Sequence, residues 1–208
     1  MGNITMGYRL CALFPPGSVE KEIAQVQEKL FKSWGLVSAL ALPPLIPLFF
    51  LPPDLPIPDR VKLKAAADPA FYCSTQNLVT LEGHLFWEVL SSGRLKALKS
   101  SIKQLFPRFN QREAPRLFPE FEGFFLSSPE IEQGFKEVIT CIGSLPVIRF
   151  PAAALSVLTV DNLCSDRHRR LPGSGWWESI QWEEIIAVPL KKPKLKRADS
   201  GRPHLPDF

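Results

Sequence analysis

The chain has no Cys-x-x-Cys pair and no cluster of cysteine with histidine. Its four cysteines, Cys11, Cys73, Cys141 and Cys164, stand far apart, and it has only three histidines. That spacing excludes the usual zinc sites and points to reduced thiols in a cytoplasmic protein rather than to a disulfide scaffold. There is no glycine-rich phosphate loop and no Gly-x-Ser-x-Gly nucleophile motif, so neither a cofactor nor a metal is expected. The N-terminus lacks a charged segment followed by an apolar one, which argues against a signal peptide. Met6 stands where a myristoylation site needs serine or threonine.

A basic field is missing as well. The net charge of +4 resides in the last 18 residues, which hold six of the 25 basic and two of the 21 acidic side chains and leave 19 of each for the rest. A general DNA-binding protein would carry positive charge on its body. Any polyanion must therefore meet a local patch, or the 191–208 tail, which has no apolar period and is expected to be disordered.

What the chain has in plenty is apolar and proline residues. Residues 36–53 form an uncharged run of 18, long enough by count to cross a membrane. Pro43, Pro44, Pro47, Pro52 and Pro53 fall inside it. Each proline in a helix interior costs about 3 kcal/mol, so a buried extended segment is expected and no membrane span. With 21 prolines in 208 residues, long helices should be few.

Local patterns supply the elements. "YRLCALF" (8–14) reads as a strand that stops at Pro15-Pro16-Gly17. Ser18 should cap a helix whose buried face is Val19, Ile23, Val26, Leu30 and Trp34. "VKLK", "NLVTL" and "HLFWEVL" read as three strands between Val61 and Leu90. A helix through Leu95, Leu98, Ile102 and Leu105 follows, its lysines 96, 99 and 103 forming either a solvated face or a nucleic-acid patch. Ser127-Ser128-Pro129-Glu130 starts another helix, and "LPVIRF", "LSVLTV" and "WEEIIAVPL" read as closing strands. Turns too short for parallel crossovers predict mainly antiparallel sheets in an α+β domain over 1–190.

Two stretches 75 residues apart, "LPPLIPLFFL" (42–51) and "LFPEFEGFFL" (117–126), share five of ten residues. This suggests two halves built alike. With a strand and helix before the first stretch, the middle strands and helix before the second, and "WEEIIAVPL" as the last strand, the chain resembles the two-histidine phosphoesterase superfamily. That group includes bacterial 2′-5′ RNA ligases and cyclic phosphodiesterases. The resemblance covers about residues 7–190 and implies a bilobal fold, with two sheets related by a pseudo-twofold repeat, helices on the outer faces and a central cleft.

In that family each stretch carries a histidine and, two residues on, a hydroxyl. Here the aligned positions hold Leu45 and Pro47 in the first stretch and Glu120 and Glu122 in the second. Ring opening of a cyclic phosphate needs one group to take a proton and another to give one, and imidazole does either near neutral pH. Leucine does neither. Arg9, Arg108, Arg112 and Arg116 are the candidates for phosphate contact, because arginine pairs bidentately with phosphate. Arg167, Arg169 and Arg170 beside Trp176 form a patch suited to RNA, by charge and ring stacking.

The resemblance thus implies a catalytically inactive or impaired protein that binds RNA ends or a nucleotide. Two other readings stay open. One is a non-catalytic interaction or structural domain, with a protein partner, whose cleft is plugged by Leu45, Ile46 and phenylalanines. The other is an active phosphodiesterase in which Glu120 replaces the lost base.

Overall fold

A computed structural model describes residues 6–67, 71–106, 118–128, 135–162 and 180–191. Among these residues eight strands form two four-stranded sheets, with every pairing antiparallel. In the first, β2 (Ile46–Leu51), β1 (Met6–Phe14), β7 (Ala154–Asn162) and β8 (Ile180–Pro189) lie in that order. In the second the order is β5 (Gly123–Ser127), β4 (His84–Leu90), β3 (Tyr72–Leu81) and β6 (Arg149–Pro151). Helices α1 (Gly17–Trp34), α2 (Arg60–Ala66), α3 (Arg94–Lys103) and α4 (Lys136–Ile142) complete the α+β fold. No helix of the described residues is long and apolar enough to cross a membrane.

Alternation along the strands divides the core in two. Cys11 and Leu13 of β1, Leu85, Trp87 and Val89 of β4, and Phe124 and Leu126 of β5 point to one side, where Val19, Ile23 and Leu30 of α1 and Leu95, Leu98 and Ile102 of α3 cover them. Tyr8, Leu10 and Ala12, Phe86, and Phe125 point to the other. There Phe50 of β2 and Leu158 and Val160 of β7 join them, with Leu42, Leu45 and Phe118 from the flanking loops. No helix contributes to this second cluster among the described residues. The two sheets fill the space between their helix-free faces themselves.

The edge strands β2 and β5 bring the sheets together. The Phe125 amide donates to the Leu45 carbonyl at 3.3 Å. Gln27 of α1, buried within what otherwise reads as an apolar stripe, donates to the Leu42 and Phe125 carbonyls at 3.3 and 3.4 Å. The Ser38 hydroxyl accepts from the Ser128 amide at 2.8 Å and lies 2.8 Å from the Ser127 hydroxyl. A seam of backbone groups that no ladder satisfies is thus satisfied by side chains, as buried polar groups require. At the start of β5 a Cβ on Gly123 would lie 2.8 Å from the Trp87 carbonyl oxygen. Only glycine lets β5 approach β4 this closely.

Several local readings need correction. "VKLK" is helical, because the Asp59 carboxylate accepts from the Lys62 amide at 2.9 Å and caps α2. Pro16 rather than Ser18 precedes the first turn of α1, its ring pre-set to an extended entry. The two matching stretches contribute strand only over their apolar C-terminal parts, 46–51 and 123–127. The 191–208 tail lies outside the described residues except for Lys191.

Cys11, Cys73 and Cys141 are free. Burial pushes the Cys11 and Cys73 thiols up to about 12, and the Glu122 carboxylate adds to the shift at Cys73. An unfolded thiol ionises near its ordinary value while the folded one stays protonated, so the unfolded chain binds fewer protons above about pH 9. Stability is therefore expected to fall as pH rises from about 9 toward 12, by up to about 1.4 kcal/mol per pH unit for each thiol. Comparing urea midpoints of wild type and Cys11→Ala across that range isolates one thiol's share, and equal slopes would contradict it.

Candidate functional site

The four motif-aligned positions do not share one groove. Leu45 is wholly buried in the second apolar cluster. Pro47, Glu120 and Glu122 instead line a pocket of about 370 Å³ on the side of α3. Ile46 and Leu48, Leu95 and Phe121 form its apolar wall, and Lys96, Lys99, Ser100 and Lys103 face it from the helix. Ile46 packs in the helix-covered core, opposite to Leu45.

Helical spacing explains the cationic wall: residues 96, 99 or 100, and 103 recur on one face of α3. The Lys99 ammonium donates to the Glu120 carboxylate, and the Lys103 ammonium lies 4.0 Å from the same oxygen. Lys103 also sits over the Phe49 ring, 5.2 Å from its centroid. These side chains are about three-quarters or more buried: 26% exposed for Lys99, 24% for Lys103 and 15% for Glu120. Of the three lysines expected on a solvated face or a nucleic-acid patch, Lys99 and Lys103 thus serve as counter-ions to an acid on a distant segment, while Lys96 is exposed. The 96, 99, 103 period was legible in the sequence, but a period is blind to what a helix faces.

Chemically the pocket can hold charge and pack an apolar body. It offers no imidazole. His84 lies at the border of the second cluster, its ring 6.4 Å from Phe118 and 6.5 Å from Phe125, and its Nδ1 is 3.0 Å from the Glu82 carbonyl. That is a packed, locally bonded histidine. Among the described residues no group of His, Cys, Asp and Glu could hold a metal ion.

Arg9 is half-buried, and its guanidinium donates to the Leu55 carbonyl, tying β1 to the proline-rich loop after β2. Arg108, Arg112, Arg116, Arg167, Arg169, Arg170 and Trp176, with His168 and His204, lie outside the described residues.

No family model matches this sequence, and no curated protein does. Solved structures do match. The crystal structure of TT0787 of Thermus thermophilus superposes with a TM-score of 0.54, at 14% identity over 90% of this chain and all of that one. That of E. coli LigT complexed with 3′-AMP gives a TM-score of 0.47 at 10% identity, over 88% of this chain and 98% of the other. At 14% identity the likeness to the Thermus thermophilus protein is one of fold alone, over nearly the whole of both chains.

Proposed function

We propose that this chain is a non-catalytic protein on a two-histidine phosphoesterase-like fold, with its inter-sheet cleft closed, that works by binding a partner. The observation that carries this reading is the burial of Leu45, at 0% exposure, among Phe50, Phe118 and Phe125. An apolar side chain there gains by leaving water and has no proton to give or take. The remaining motif positions support the same reading. Pro47 has no donor, and Glu120 is held by two lysines of α3.

Binding of RNA ends or a nucleotide is the other reading that the resemblance implies. Arg9, the one described arginine among its candidates, is committed to a backbone carbonyl. That reading would then depend on the arginines at 108, 112, 116, 167, 169 and 170 and on Trp176.

The test is an assay of 2′,3′-cyclic nucleotide hydrolysis and of 2′-5′ joining with the purified chain. No turnover above background is expected. Turnover that Glu120→Gln abolishes would overturn the proposal in favour of an enzyme with a replaced base. Retention of RNA that weakens steeply with salt would favour the nucleic-acid ligand, because phosphate contacts release counter-ions.

A further inference from the structure

The α3 pocket has features that its ion pair does not use up. Its lining carries three lysines against two carboxylates, an excess of one positive charge. Lys99 and Lys103 converge on Glu120. Lys96 makes no ion pair among the described residues. It stands one helical turn from Lys99 and Ser100, and the three can meet a single ligand group. Opposite them Pro47 and Leu48 of β2 and Phe121 provide an apolar surface. About 370 Å³ is within the range of small-molecule sites.

We infer that this pocket binds a small organic monoanion, a flat or branched apolar body bearing one carboxylate or sulfonate-like group. The anionic head meets the Lys96 ammonium and the Ser100 hydroxyl, and the body packs on Pro47, Leu48 and Phe121. The charges select the class. A cationic ligand would face the lysine excess. A dianion would leave one charge uncompensated beside Glu120 and Glu122, both of which line the pocket. A bare inorganic ion would leave the apolar wall uncovered. This goes beyond the proposed function and stands whether or not the chain has any turnover.

Calorimetric titration of the full chain with benzoate, benzenesulfonate, phenyl phosphate and benzylammonium tests it. Phenyl phosphate is mostly a dianion at neutral pH. Saturable millimolar or tighter binding is expected for benzoate or benzenesulfonate. Phenyl phosphate should bind more weakly and benzylammonium not at all. Whichever monoanion binds tighter identifies the head group. Lys96→Ala, an exposed helix position at which alanine keeps the fold, should weaken binding about ten-fold. Glu122→Gln should tighten it about three-fold by removing a repulsion that solvent partly screens. The inference is overturned if neither monoanion saturates, if phenyl phosphate binds tightest, or if Lys96→Ala leaves the affinity unchanged.

Discussion

Replacing Phe125 by alanine is expected to lower the stability of the protein by about 3 to 5 kcal/mol, the range for an aromatic ring lost from a core that cannot collapse around the gap. Phe125 is 1% exposed. It stacks on Phe118 at 4.5 Å between centroids and meets Phe86 edge-on at 5.9 Å. Its neighbours Leu10, Leu45, Leu158 and Val160 sit on strands or loops fixed by other pairings, so little can move inward. For a domain of this size each kcal/mol corresponds to about 2 to 4 °C in melting temperature, and calorimetry should record a drop of about 10 °C. Phe125→Leu, which keeps most of the volume, should cost about half as much. A loss under about 1 kcal/mol for the alanine variant would mean that the space between the sheets is not a packed core, and the closed cleft would have to be given up.

The second large effect is expected of Leu45→His, which places a histidine where the family that the sequence resembles carries one. The imidazole would enter a cluster whose described members are aliphatic and aromatic, with Tyr8 the only one bearing a hydroxyl. It would lose the burial of leucine and bury a ring nitrogen, at a combined cost of about 2 to 5 kcal/mol. Urea denaturation measures this directly. No turnover of a 2′,3′-cyclic nucleotide should accompany it, even with Glu120→His, because position 45 is closed inside the apolar cluster while position 120 faces the lysines of α3. General acid–base groups contribute about 10² to 10⁴ each only when both reach the reacting atoms. A double variant that gained such activity would show that the two side chains do converge on one cleft.

Several features of the fold were legible because they rest on local rules. β-rich composition bounded by turn residues in "YRLCALF" and "HLFWEVL" placed β1 and β4, and the four-three spacing from Val19 to Leu30 placed α1 with its buried side. Proline ruled out a membrane helix in 36–53, and short turns gave antiparallel pairing. "VKLK" misled because four alternating residues fit a strand and a short helix equally, and the deciding group, Asp59, lies just outside them. Gln27 was invisible as a core residue because its value comes from two carbonyls, 15 and 98 residues away in the chain.

By itself the sequence determined which chemistry is missing: no spacing or fold can make Leu45 and Pro47 shuttle protons or grip phosphate, since side-chain chemistry is fixed before folding. It also determined the twin apolar stretches and the elements that flank them. Tertiary structure alone decided where the aligned positions point. Leu45 turned into the inter-sheet cluster, while Glu120 came to Lys99 and Lys103 of α3. The reason is that a side chain's surroundings depend on the register of β2 on β1 and on the packing of β2 beside β5. Both are set by contacts far apart in the chain, which a one-residue change of register reverses.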